Sequence, residues 1–123
     1  MIRVLIADDH AIVRSGLMQI IATTLDITTV GEATHGEEIP GQIAAVAADL
    51  LLLDMAMPGL SGIELQRELN RRGEHAPMIF VTSYEDDRTR NAALSGGALA
   101  FLRKPVNIGK LMGCLESVLG PQP

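Results

Sequence analysis

Four apolar runs in this chain each end in a polar group able to do chemistry. Ile2 to Ala7 leads into Asp8 and Asp9, and Leu50 to Leu53 into Asp54. Met78 to Val81 leads into Thr82, and Ala98 to Leu102 into Arg103, Lys104 and Pro105. A carboxylate that closes a run as apolar as Leu50-Leu51-Leu52-Leu53 needs a reason. The run is too short for a membrane span and has the length of a strand buried on both faces. Its end would emerge at the carboxyl edge of a parallel sheet, where open α/β folds place their ligands. Taken singly, an Asp after a strand is by default a cap or turn former, and Lys104 a surface lysine. Acids, a hydroxyl and an amine after four different strands make a candidate reactive rim. Three carboxylates crowded there would raise one another's pKa.

The elements needed to position them follow from periodicity. Strand-like runs alternate with helix-like runs, the pattern of a parallel sheet covered on both faces. Strands are predicted at Ile2–Ala7, Ile27–Ala33, Leu50–Asp54, Met78–Thr82 and Ala98–Leu102. The second has two threonines and suits a sheet edge, and the third is central. Val13, Leu17, Ile20 and Ile21 stripe a first helix. Ile39, Ile43 and Val46 suggest a second, kept short or displaced by Pro40 and Gly41. Ser61 and Glu64 form a capping box before Leu65 and Leu69. A weakly amphipathic segment from about Asp86 to Ser95 ends at Gly96-Gly97. Ile108, Leu111, Met112, Leu115 and Leu119 stripe the last helix.

The chain has 123 residues, 47% of them apolar, enough for one domain with one sizeable core. The expected bounds are a domain over 1–119, with Gly120-Pro121-Gln122-Pro123 as the start of a linker or tail. Cys114 is the single cysteine, so no internal disulfide forms, which fits a reducing compartment. No signal peptide or spanning segment is visible, so the expected location is cytoplasmic, without membrane contact. The formal charge is −5 and no basic cluster stands out, so this domain alone is expected not to bind nucleic acid. Phe80, Tyr84 and Phe101 leave little for base stacking.

Asp54, Met57, Pro58 and Gly62 follow an Asp-x-x-Met-Pro-x-x-x-Gly pattern. With Asp8–Asp9, the Thr82-Ser83 pair and Lys104-Pro105, the chain resembles, over essentially its whole length, the receiver domains of bacterial two-component response regulators. The resemblance implies an α/β, doubly wound, flavodoxin-like fold with a five-stranded parallel sheet of order 2-1-3-4-5. Asp8-Asp9-His10 with Arg14-Ser15-Gly16-Leu17 is similar to receivers of the LuxR/FixJ type, which join a helix-turn-helix output domain.

By resemblance, Asp54 is the phosphoacceptor, taking a phosphoryl group from a histidine kinase or phosphotransfer protein. Mg²⁺ would offset the carboxylate repulsion and hold phosphate oxygens, bound by Asp9, Asp54 and the main-chain carbonyl of Ala56. Asp8 would act on the metal mostly through water. Lys104 would neutralise a phosphate oxygen, and a cis Lys104-Pro105 bond is expected to aim its amine. Thr82 would donate its hydroxyl to the phosphoryl group. Phe101 matches the switch aromatic and would follow Thr82, changing a surface for partners and for a homodimer formed on phosphorylation. Ala56 and Tyr84 flank the approach of a hydrolytic water. Neither orients it well, which implies a long-lived phosphoryl state.

Other residues have blander readings. His10 reads as a loop residue rather than a ligand, and His35 and His75 as surface. Cys114 reads as packing, and Arg88 and Arg90 as a solvated helix face. Competing functions are weaker. An aspartate-nucleophile phosphohydrolase of the haloacid-dehalogenase-like kind carries a second Asp two residues after the nucleophile, where this chain has Ala56. A nucleotide- or flavin-binding module needs a Gly- or Ser/Thr-rich loop after strand one, where this chain has Asp8-Asp9-His10. A receiver that only binds partners would not need every key position intact. The expected role is therefore a phosphorylation-activated switch, not an enzyme with a turnover substrate, controlling transcription through an output domain outside these residues.

Overall fold

The computed structural model describes residues 2–23, 26–55, 61–73, 77–83, 86–104 and 106–119, with backbone alone for 118 and 119. Its elements run β1 (Ile2–Ala7), α1 (Ala11–Ala22), β2 (Ile27–Ala33), a 3₁₀ turn (Gly36–Glu38), α2 (Ile39–Val46), β3 (Leu50–Asp54), α3 (Gly62–Arg72), β4 (Met78–Thr82), α4 (Asp87–Ser95), β5 (Ala100–Arg103) and α5 (Ile108–Leu119). The sheet is parallel throughout, in the order β2-β1-β3-β4-β5. The threonine-bearing β2 lies at an edge and the leucine-rich β3 at the centre, as expected.

Successive strand residues point to opposite faces. Leu51 and Leu53 join Leu5, Ile39, Leu65, Leu69 and Phe80 in a core under α2, α3 and α4. Leu50 and Leu52 join Val4, Ile6, Leu17, Ile21, Leu111 and Leu115 in a second core under α1 and α5. All five residues of β3 are buried. The apolar run is continuous because each face of the strand needs its own apolar set. Among the described residues, no helix is long and apolar enough to cross a membrane.

The helix starts follow local chemistry. The Ser61 hydroxyl accepts from the Glu64 N–H at 3.3 Å, making the predicted cap of α3. Pro40 sits in the first turn of α2, where a missing N–H costs nothing, so the helix is short but regular. At α4, the Asp86 carboxylate caps the Arg88 N–H at 3.0 Å.

The fifth strand departs from expectation. It begins at Ala100, not Ala98, and reaches Arg103. Gly97 takes φ +106°, and the Ala98 N–H then turns back to the Ala93 carbonyl at 3.0 Å. Ala98, which read as strand, is consumed in closing α4, while the Leu99 N–H already donates to the Met78 carbonyl of β4 at 2.8 Å.

Candidate functional site

Parallel register brings the strand ends level with one another. Ala7 pairs with Leu53, Asp54 with Val81, and Thr82 with Arg103. The next residues, Asp8 and Lys104, therefore emerge beside Asp54 at the carboxyl edge. Backbone bonds hold them there: Asp8 N–H donates to the Ala33 carbonyl at 3.0 Å, and Lys104 N–H to the Thr82 carbonyl at 2.7 Å. Asp8, Asp54 and Thr82 are 2%, 5% and 3% exposed. Asp9 and His10 form the open mouth above this floor.

The Lys104 ammonium spans the two buried acids. Nζ lies 2.7 Å from Asp8 Oδ2 and 3.5 Å from Asp54 Oδ2. Burial pushes the Asp8 carboxyl up. The hydrogen bond from Lys104, the His10 backbone N–H at 2.8 Å, the lysine charge and the His10 ring together outweigh it. The net effect holds Asp8 below its ordinary value of 3.8.

The structure thus gathers Asp8, Asp9, Asp54 and Lys104, and seats Thr82 at the end of the adjoining strand. Phe101 lies apart, half-buried on β5, with its ring centroid 6.4 Å from that of Phe80. Ala56, Met57, Pro58, Tyr84, His75, Pro105 and the 120–123 tail lie outside the described residues. The expected carbonyl ligand, the water-flanking pair and the Lys104-Pro105 bond lie there with them.

His10 is a loop residue, as expected, exposed between β1 and α1, but its ring turns towards the acids. Its Nδ1 lies 3.0 Å from Asp8 Oδ1, 3.1 Å from Asp9 Oδ1 and 4.0 Å from Asp54 Oδ2. One ligand atom from each of these four residues lies within 4.8 Å of all the others. Spacing along one strand end could not reveal this, because it depends on how the backbone turns after Asp8.

Two residues that the sequence offered only as parts of motifs prove to position the site. Arg14 donates from Nη1 to the Asp8 carbonyl at 2.6 Å and from Nε to Glu32 at 3.0 Å, tying the acid loop to β2. Gly62 stands where a Cβ would meet Met55 Sδ at 2.7 Å and Phe80 Cε1 at 2.8 Å. Its N–H donates to the Met55 carbonyl at 3.1 Å, so α3 starts hard against the residue after Asp54. The readings of His35, Arg88, Arg90 and Cys114 agree with the structure. His35 pairs with Glu38 at 3.1 Å, Arg88 and Arg90 are exposed, and Cys114 is half-buried with its thiol pushed up by burial.

The donor set fits a hard divalent cation. It offers carboxylate oxygens from Asp8, Asp9 and Asp54, two of these residues buried and Asp9 exposed. A buried carboxylate beside an ammonium can act as a nucleophile towards an electrophile that enters this pocket.

Comparison with known proteins assigns the chain. The model of the family described as response regulator receiver domain matches residues 4–116. The chain belongs to that family. The receiver is 32% identical over 122 residues to the response regulator UvrY of Escherichia coli, covering 99% of this chain and 56% of that protein. It is 32% identical over 123 residues to the transcriptional regulatory protein LiaR of Bacillus subtilis, covering 100% of this chain and 58% of that protein. The chain therefore spans little more than half the length of these curated relatives. Among solved structures, a LuxR-family two-component response regulator from Aurantimonas is 26% identical, with a TM-score of 0.86. That match covers 95% of this chain and 84% of the other. These relatives are named as response regulators and as a transcriptional regulatory protein.

Proposed function

We propose that this receiver is switched by phosphorylation of Asp54. The observation that carries the reading is the place of Asp54. It is 5% exposed at the pocket floor, flanked by Asp8, with the Lys104 ammonium 3.5 Å from its Oδ2. An Asp54 oxygen attacks the phosphorus of a phosphohistidine on a histidine kinase or phosphotransfer protein. The P–N bond breaks, the imidazole leaves with its electron pair and takes up a proton, and an acyl phosphate forms on Asp54.

Asp9, Asp54 and the Ala56 carbonyl would hold Mg²⁺, which supplies charge neutralisation for the incoming phosphate oxygens. Asp8 supports that site from behind, fixed by Lys104 and by the turn at His10. Lys104 pairs with a phosphate oxygen once the phosphoryl group is in place. Thr82 donates its hydroxyl to another.

Drawing Thr82 towards the phosphate loosens the end of β4, and Phe101 moves into the space. Phe101 carries no hydroxyl, so burying it leaves no donor unpaired. It lines a groove of about 600 Å³ with Arg90 of α4 and Lys110 of α5, so its motion would reshape the surface that a partner or second receiver meets. The similarity to LiaR and to the LuxR-family structure supports transcription control through a further domain.

The test is phosphorylation by acetyl phosphate in Mg²⁺, read by intact mass and peptide mapping. One phosphoryl group on Asp54, dependent on Mg²⁺, is expected. A phosphoryl group that maps to another residue would overturn the assignment.

A further inference from the structure

The sequence shows no basic cluster, but the fold gathers one. Arg90 of α4, Arg103 of β5 and Lys110 of α5 line a single groove of about 600 Å³. Lys104 adds its side chain there, though its ammonium is held by Asp8. Among the described residues, no carboxylate lines this groove. The whole chain carries fifteen acids to ten lysines and arginines, so the groove is positive against a negative protein. Arginines elsewhere stand beside acids: Arg14 with Glu32 at 3.0 Å, and Arg71 and Arg72 with Glu68 at 2.6 and 2.9 Å. Like charges held close repel one another, and a negative partner relieves the repulsion.

The lining narrows the partner. β5 is an outer strand of the sheet, paired with β4, and the groove is lined by it and by the helices on either side. An extended segment can lie along such an edge. Phe101 is half-buried in the lining, with its ring at 50° to that of Phe80. One aromatic so placed gives no platform for successive bases. It does give an apolar contact among the charges. The Lys110 N–H donates to Asn107 Oδ1 at 3.0 Å, which holds the first turn of α5 and so the backbone that carries the lysine.

We propose that this groove docks an acidic polypeptide segment of a partner protein. Carboxylates of the segment pair with Arg90, Arg103 and Lys110, and an apolar side chain lies beside Phe101. The two guanidinium groups suit this, because each presents paired N–H groups to a carboxylate. The inference deepens the reading of this face as the one that Phe101 reshapes. Its chemistry comes from the charges, and its regulation rests on that reading. When Phe101 turns inwards, space opens for the partner's apolar side chain, so phosphorylation tightens docking.

The test is fluorescence anisotropy with a short labelled peptide of glutamates around a central leucine, and with its glutamine counterpart. The glutamate peptide should bind, more weakly as salt rises, and the glutamine peptide should not. Joint Arg90→Ala and Lys110→Ala substitution should cost about tenfold or more in affinity. Both positions are exposed on helices, so the variant should fold. Arg67→Ala, at an exposed position of α3, should change nothing. Treatment with acetyl phosphate should raise the affinity about fivefold. No binding of the glutamate peptide, equal binding of the two peptides, or undiminished binding by the double variant overturns the inference and leaves phosphorylation of Asp54 standing. An equal loss in Arg67→Ala, which would reflect net charge alone, also overturns it. Tighter binding of a single-stranded oligonucleotide, lost in the double variant, overturns it in favour of a nucleic acid. Unchanged affinity in protein shown by mass to carry the phosphoryl group overturns only the regulation by Phe101.

Discussion

Lys104 is closer to Asp8 than to Asp54: its ammonium lies 2.7 Å from one carboxylate and 3.5 Å from the other. The amine that is to meet the phosphoryl group is thus held by the acid beside the acceptor. In the proposed site, Lys104 and a metal ion would compete for the same negative charge. Binding the ion would weaken the grip of Asp8 and free the amine for a phosphate oxygen. Replacing Lys104 with Met should therefore tighten Mg²⁺ binding several-fold while slowing phosphorylation. Charges this close in a partly buried site interact strongly. Calorimetry with Mg²⁺ checks the first effect, and labelling rates check the second. Weaker Mg²⁺ binding in the variant would mean that the lysine does not oppose the ion.

Asp54→Asn should abolish phosphorylation, because an amide is a poor nucleophile towards phosphorus. The swap is nearly isosteric at a buried position and relieves repulsion, so the fold should persist with an unchanged or slightly higher Tm. Mass spectrometry after treatment with a small phosphodonor reads the outcome. A full adduct on the variant would refute Asp54 as acceptor.

Mg²⁺ should raise the Tm without any phosphate, since an ion that binds only the folded state stabilises it. Asp9→Ala should remove most of that rise, and Asp8→Ala should remove less. The comparison needs only thermal melts with and without Mg²⁺. An undiminished shift in Asp9→Ala would exclude Asp9 as a ligand.

Acid should destabilise the fold from about pH 4 downwards. Asp8 lies below its ordinary 3.8, and Glu68, paired with Arg71 and Arg72, is drawn down to about 2. For both, the unfolded chain binds a proton at higher pH than the folded chain does. Their stabilisation is complete above the ordinary pKa and disappears as pH falls through the folded value. Salt should weaken the share from Glu68, whose arginine partners are largely exposed. Denaturant melts from pH 7 to pH 3 would show the loss. In Lys104→Met, Asp8 loses a principal partner, so the acid slope should flatten. An identical slope in parent and variant would contradict the Asp8 share.

A tether between α3 and α4 gives a fifth expectation. Gln66, buried in α3, donates to the Ala93 carbonyl at 2.8 Å, and Asn70 donates to the Gly96 carbonyl at 3.1 Å. A Cβ on Gly96 would lie 2.6 Å from Gln66 Cδ. Gly96 has φ −78°, which alanine adopts freely, so a Gly96→Ala penalty comes from the clash alone. It should cost about 1–3 kcal/mol. Shortening Gln66 to Ala should make the Gly96→Ala step cheaper, a coupling that a double-mutant cycle measures. Additive costs would mean the two residues do not press on each other.

Much was legible in the sequence because it depends on period and on chain ends. Alternation of apolar runs gives the layered fold, and Leu50 to Leu53 must be a two-faced strand because no solvent-facing position interrupts it. Once the strands are parallel, residues that follow them gather at one edge, so Asp8, Asp54, Thr82 and Lys104 were readable as a group. Local chemistry also sufficed for the Ser61 cap. Tertiary structure decided the rest. Ala98 went to closing α4 rather than to β5, because the turn at Gly97 aims its N–H at Ala93. Arg14 and Gly62 took their places from contacts with Glu32 and with Phe80, on separate elements of the chain. His10 is the loop residue that the sequence suggests, but its neighbours in sequence give no sign of its direction. The turn pinned by Asp8 and the arrival of Asp54 from β3 place its ring among three carboxylates, and both depend on the assembled sheet.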